Sequence, residues 1–217
     1  MTADHDTSDR VHRALKTDLL TGGFAPGRLQ VSQLADRYAT SATPVREALL
    51  RLVGEGMIEM PSTGGFSAGP IGEAQVRELY ELNLRMMLMA TAWRGAVPEE
   101  PTDDVFAGRG LEPAIDVLFS SLGRSTGNRQ FTAIVESIND RMCRIRRAEQ
   151  IELDGLRREF ANLEALVRTG SEEKLRRALR NYHRRRLNRI AGIAERIAIQ
   201  DADHLRGTAR LTDTRHI

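Results

Sequence analysis

Cysteine is almost absent: Cys143 is the one thiol among 217 residues. A lone cysteine excludes an internal disulfide and any multi-cysteine metal site, and it reads as a half-buried helix thiol. Long apolar runs are missing as well. None approaches the roughly 18 residues that a membrane span needs. The N-terminus, MTADHDTSDR, is polar and acidic rather than signal-like. A soluble, cytoplasmic chain that spans no membrane is the expectation. Lysine is scarce too, two of 32 basic residues, and strong net charge is lacking at +2. No Ser/His/Asp arrangement, paired-acid motif, phosphate loop or metal cluster is apparent, which sets an enzyme aside.

The charge present is uneven. Residues 1–70 carry seven basic and eight acidic side chains, whereas residues 141–189 carry fifteen and seven. Nucleic-acid binding by the first stretch cannot rest on bulk charge. With 41% hydrophobic and 29% charged residues, the chain can bury one core or two small ones.

Val11, Ala14, Leu15 and Leu19 fall at helical spacing, and GGFAPG ends that helix at Gly22 and Gly23. A short helix over 31–38 turns Leu34 and Ala35 inward. In SATPVREALLRLVGEGMIE, Ser41 suits an N-cap, and Pro44 is tolerated where first-turn amides have no intrahelical partner. Val45, Ala48, Leu49 and Leu52 form one stripe, which Gly54 and Gly56 stop. Residues 57–60 and 66–68 flank PSTGG and suggest a two-stranded hairpin. Three helices and a hairpin make a winged helix-turn-helix over residues 8–69. After the linker 70–72, strand signals disappear. Helices are predicted over 73–96, 111–122, 128–148, 153–168 and 171–199, and their short connections argue for an antiparallel all-α bundle over 73–200. Residues 201–217 are left as a C-terminal tail. The fold class is mainly α.

In a helix-turn-helix the second helix of the pair offers its N-terminal side chains to the major groove. Thr43 and Arg46 lie three apart, opposite the apolar stripe, so Arg46 can reach phosphate or a guanine edge while Thr43 hydrogen-bonds nearby. Gly64 and Gly65 let a wing approach the DNA backbone.

FAPGRL, SQLADRYATSATPVREALLRLVGEGMIE and STGGFSAG together resemble the N-terminal domain of the GntR family of bacterial transcription regulators, over about residues 11–68. The resemblance implies DNA contacts from Ser32, from Ser41, Ala42, Thr43, Pro44 and Arg46, and from the wing residues Ser62, Thr63, Gly64 and Gly65. Two departures weaken the electrostatic part. Ala42 stands where many members have a basic residue, and Ser32 and Gln33 occupy a region that is often charged.

ELYELNLRMM, LFSSLGRSTGN and REFANLEALVRTGSEEKLRRALRNYH resemble the FadR-type (FCD) effector domain of that family. Many such domains hold a divalent metal with one Asp and three His. Carried over, those ligands fall at Ile115, Phe119, Phe160 and Tyr182, so the metal site is expected to be lost and no cofactor is expected. Asp116, Ser120 and His183 lie one position along, about 100° around their helices. The pocket's usual Arg and Glu correspond to Asn83 and Met87. Met86, Met87 and Met89 suit core first and pocket walls second. The arginine-rich stretches 141–147 and 176–189 alternate with Glu as a solvated face would, with attraction of an anionic ligand or DNA as the other reading.

These readings lead to a homodimeric repressor of a palindromic double-stranded DNA site, answering to an unknown apolar or amphipathic small-molecule effector. Repression is adopted because it is the commoner behaviour in the family. The alternative is an effector-blind dimeric architectural DNA-binding regulator controlled by a partner protein.

Overall fold

The computed structural model describes the backbone of residues 2–24, 26–93, 111–169 and 171–213, and the side chains of 6–24, 26–93, 114–169 and 171–204. Two units emerge. The first comprises Met1–Ile71 with Ile197–Ile217, the second Gly72–Arg196. One boundary lies within the stretch read as a linker, 70–72, and the other, between Arg196 and Ile197, lies inside the range read as the helical bundle, 73–200.

In the first unit the order is α1 (Thr2–Leu20), β1 (Gly27–Leu29), α2 (Val31–Arg37), α3 (Ala42–Gly54) and β2 (Phe66–Ala68). Val11 and Leu15 of α1 pack with Leu34 of α2, and with Val45, Leu49 and Leu52 of α3. Those positions recur every three or four residues, so each helix buries one stripe. The reversal after α3 is a Schellman motif: Met57 N–H donates to the Leu52 carbonyl and Gly56 N–H to that of Val53, both at 3.0 Å. Gly56 takes the left-handed φ of 69° that the motif requires. Ala39 fills the equivalent place after α2 with a φ of 49°, although it carries a side chain.

The expected hairpin is corrected. β2 pairs antiparallel with β1, Leu29 opposite Phe66 and Gly27 opposite Ala68. Of residues 57–60, only Glu59 joins, through an isolated bridge to Ser67. The turn at 55–57 uses the residues that a longer strand would need. The mainly helical winged helix-turn-helix stands, with the partner of its wing strand changed.

The second unit contains α4 (Glu73–Trp93), α5 (Leu111–Arg124), α6 (Arg129–Glu152), α7 (Leu156–Thr169), α8 (Glu172–Leu187) and the first residues of α9 (Ile190–Asp213). α4 packs on α5, α6 and α8, while α5 also meets α6 and α7. Asn128 caps α6, its side chain accepting from the Gln130 and Phe131 amides, and Ser171 caps α8 through Lys174 N–H. Residues 94–96 of the predicted first helix lie outside the described residues. The helix predicted over 171–199 is two, broken at Asn188 and Arg189. The second continues to Asp213, through residues read as tail. No helix of the described residues is long and apolar enough to cross a membrane.

Candidate functional site

The start of α3 offers one candidate surface. Ser41 has the extended backbone of an N-cap (φ −83°, ψ 169°), but its hydroxyl makes no capping bond. Ser41, Ala42, Thr43 and Arg46 are exposed, while Val45, Ala48, Leu49 and Leu52 are buried. Pro44 is also buried. It is expected among the DNA-contacting residues; here its ring is closed off from solvent at the first turn of the helix. Ser32 on α2 is exposed, as are Ser62, Thr63 and Gly64, with Gly65 half-buried. Gly64 N–H closes the wing turn on the Pro61 carbonyl at 2.8 Å, and Gly64 and Gly65 have φ of 81° and 86°.

Most cations of this unit are already engaged. Arg51 pairs with Asp9 and Arg37 with Asp18. Arg10 donates to the Tyr38 carbonyl and Arg13 to that of Asp9. Lys16 Nζ lies 2.9 Å from Glu55 Oε2, and His12 Nε2 lies 2.7 Å from Oε1. Burial acts to raise the Glu55 carboxyl, but Lys16 and then His12 outweigh it and hold it below its ordinary value. Arg28 and Arg46 make no ion pair with another described residue. Arg28 lies against the wing: a Cβ on Gly65 would sit 3.0 Å from its Nη2. Sequence reasoning missed Arg28 because β1 is three residues long and has no period to read. Its position just after the GGFAPG turn was the available signal.

The interior of the second unit is the other candidate. Asn83, Met87, Ile115, Phe119, Phe160 and Tyr182 are all buried. Met86 is buried with them, whereas Met89 is exposed. Ile115, Phe160 and Tyr182 line one cavity of about 20 Å³, room for roughly one water. Asn83, Met87 and Phe119 do not line it, nor do Asp116 and His183.

The expectation of apolar walls there is corrected. Arg146, Glu149, Glu159 and Arg186 line the same cavity. Arg186 Nε lies 2.7 Å from Glu149 Oε2 and its Nη1 2.9 Å from Glu159 Oε2. The Tyr80 hydroxyl donates to Glu149 Oε1 at 2.5 Å. Burial, then the Glu149 charge, pushes that hydroxyl well above its ordinary value. Burial and Glu149 likewise push Tyr182 up to about 12, against the opposing pull of Arg186. Arg146 pairs with Asp116 and donates to Asn139 Oδ1 at 3.0 Å, and Asn139 donates on to Ser120 Oγ at 3.0 Å. The solvated-face reading of the two arginine-rich stretches is therefore corrected at Arg146 and Arg186, each 2% exposed. A signal was present, since each continues the apolar stripe of its helix: Met142, Arg146 and Glu149, and Leu179, Tyr182 and Arg186.

His183 is fully buried beside Tyr182. Desolvation lowers it to about 3 despite the helping bond to Leu179, so the ring is neutral. Nδ1–H donates to the Leu179 carbonyl at 2.8 Å, and the Asn83 side-chain amide lies 2.8 Å from Nε2. The structure places Asn83 Oδ1 there and leaves its Nδ2 without a partner among the described residues; since a neutral ring that donates at Nδ1 accepts at Nε2, the amide is assigned the other way round, its NH₂ facing the ring. Both ring nitrogens are thereby occupied. Ile115, Phe119 and Phe160 have no donor atoms, Tyr182 stays protonated, and two guanidiniums stand nearby. These residues do not fit a divalent cation, which needs convergent imidazole and carboxylate lone pairs.

Residues 7–67 match the family described as bacterial regulatory proteins, gntR family. Over 84 residues the chain is 37% identical to the HTH-type transcriptional regulator McbR of Escherichia coli (strain K12), covering 38% of each. It is 32% identical to the HTH-type transcriptional repressor GlaR of the same organism, over 37% of this chain and 38% of GlaR. The matched segment thus spans well under half of these relatives. Over 85% of this chain and 97% of the other, the fold matches the solved structure of E. coli McbR/YncC with a TM-score of 0.63 at 24% identity. A GntR transcriptional regulator from Rhodococcus sp. RHA1 gives 0.66 at 18% identity, with the same coverage. At such identities the likeness shows the fold alone, an N-terminal helix-turn-helix unit followed by a helical unit. The names of these proteins are those of regulators, not enzymes.

Proposed function

We propose, from the premise that the chain belongs to the GntR family of bacterial regulatory proteins, that it is a cytoplasmic, effector-responsive repressor binding a palindromic operator as a homodimer. The observation that carries this reading is the start of α3: Thr43 and Arg46 are exposed opposite a fully buried stripe, and Arg46 has no ion-pair partner among the described residues. Arg46 reads a base edge or phosphate, Thr43 and Ser41 hydrogen-bond beside it, and Ser32 approaches from α2. Ala42 brings only its methyl to the groove. Arg28, with Ser62, Thr63, Gly64 and Gly65, meets the backbone at the wing. One recognition helix reads only a few base pairs, so useful affinity needs two copies on a symmetric site. The resident metal of related effector domains is replaced here by ion pairs, and no cofactor is required.

The test is anisotropy titration of an operator mapped by genomic footprinting. Arg46→Ala removes a contact worth about 1–3 kcal/mol per subunit if it reaches a base. If it meets phosphate instead, the slope of affinity against salt falls by about one per site. Unchanged affinity and slope would show that α3 is not the reading helix. A second reading, the effector-blind architectural regulator, is favoured by one observation: the inner cavity measures only about 20 Å³ and is crossed by ion pairs.

A further inference from the structure

Glu159 and Tyr182 each border two cavities. Inward they line the small cavity just described; outward they floor a groove of about 450 Å³ between α7 and α8. That volume lies within the range of small-molecule sites, about 300–1,000 Å³. Lys174 and Arg177 of α8 stand at the groove with Asn162 of α7 and Asn181 of α8, and Leu163 and Leu166 give it an apolar wall. Lys174 and Arg177 lie three apart, hence on one face of the helix. Both are exposed, and neither side chain makes an ion pair with another described residue. The carboxylate in the groove is already committed: Glu159 Oε2 lies 2.9 Å from Arg186 Nη1 and 3.5 Å from Arg185 Nη1. The two unpaired cations therefore set the local field.

We infer that the α7–α8 groove binds a small organic dianion, a phosphate monoester or a dicarboxylate. Its charges meet Lys174 and Arg177, and its apolar body rests on Leu163 and Leu166. The two asparagine amides supply hydrogen bonds that fix its orientation. This inference rests on the reading of the chain as an effector-responsive regulator and gives that reading a site outside the filled interior. It also gives a route for the response. An anion in the groove lies beside Glu159, which borders both cavities and holds Arg186, whose guanidinium in turn holds Glu149 of α6 and lies 3.3 Å over the Tyr182 ring. Occupancy would thus redistribute the partners of one buried arginine shared by α6, α7 and α8.

The experiment is isothermal titration calorimetry of the full chain with phenyl phosphate and with phthalate, followed by operator titration with and without each probe. One probe is expected to bind with Kd below about 1 mM, and Lys174→Ala/Arg177→Ala to weaken it at least about tenfold. Both residues are exposed, so the fold should persist, which circular dichroism checks. Arg157→Ala/Arg158→Ala, removing two exposed arginines outside the groove, should shift Kd less than about twofold. Saturating probe is expected to change operator affinity by at least about threefold. Whichever probe binds separates the phosphate source from the carboxylate source. Three results would each overturn the inference: neither probe binding by about 10 mM, binding that survives the Lys174/Arg177 double variant, or binding with unchanged operator affinity. A ligand-free parent chain that binds no operator overturns the regulator reading instead, leaving the groove to be judged by calorimetry alone.

Discussion

Cutting the Arg186–Glu149 pair should cost far more than deleting it whole. Glu149 is 3% and Arg186 2% exposed, and removing one member of such a pair strands the other in low dielectric, typically at about 3–5 kcal/mol. The two cuts should differ. Glu149→Leu leaves Arg186 with Glu159 at 2.9 Å, a partner that is 20% exposed and still neutralising, so about 3 kcal/mol is expected. Arg186→Met leaves Glu149 with only the Tyr80 hydroxyl as a partner among the described residues, so about 4–5 kcal/mol is expected. The triple variant Tyr80→Phe/Glu149→Leu/Arg186→Met removes both charges and the hydroxyl that would be orphaned. It should recover to within about 2 kcal/mol of the parent, since apolar replacement of a buried pair is often near neutral. Urea unfolding read by fluorescence suits this test because Trp93, the sole tryptophan, lies on α4 in the same unit, its ring 5.5 Å from Phe131. Single substitutions that each cost under about 1 kcal/mol and simply add would refute the argument, because coupled neighbours should show interaction energies of about 0.5–3 kcal/mol.

Two further expectations concern stability. Ala39 holds a φ of 49° in the turn between α2 and α3, so Ala39→Gly should raise stability by up to about 1 kcal/mol, the relieved left-handed strain exceeding the added unfolded-state entropy; a lower melting temperature would count against it. His183 titrates near 6.5 when unfolded and at about 3 when folded. Between those values the unfolded chain holds a proton that the folded ring refuses, so stability rises with pH across the window by about 1.4 kcal/mol per unit and is lost on acidification. His183→Gln, compared with the parent by urea midpoints between about pH 4 and 6.5, should flatten that dependence; an equal slope in both proteins would place the titration elsewhere.

What could be read from the sequence depended on how local its cause was. The stripe Val45, Ala48, Leu49 and Leu52 and the Gly56 reversal were legible because each is set within one or two helical turns. The wing pairing was not, since β1 and β2 are three residues each and so short a strand shows no alternation that could name its partner. The break between α8 and α9 was hidden for a similar reason: Asn188 and Arg189 interrupt an otherwise helical run, and neither is a glycine or a proline. At the candidate sites, exposure of Thr43 and Arg46 followed from period alone. Burial of Arg146 and Arg186 was visible as position but masked by residue type, since arginine is almost never fully buried unless paired, and the pairing carboxylates lie on other helices.

The same residues explain why the interior of the second unit and the exposed start of α3 answer to different rules. Ile115, Phe119 and Phe160 are buried in the second unit, and an interior of low dielectric makes any unpaired charge costlier. Arg186 can therefore stay only because Glu149 and Glu159 hold it. Burial acts to lower its pKa, yet Tyr182 and the two carboxylates outweigh that and keep it above the ordinary value. A dication entering this space would face fixed guanidiniums and a His183 whose lone pair is already used by Asn83. An anion reaching it from the α7–α8 side would instead find positive charge that depends on Glu159, the most exposed member of the trio. On α3 the reverse holds: Arg46 is solvated and has no ion-pair partner among the described residues, so its charge costs the fold little and remains available to a phosphate or a base edge. The proposed ligand response and the proposed DNA contact would thus both turn on how an arginine is partnered, buried and committed in one unit, exposed and uncommitted in the other.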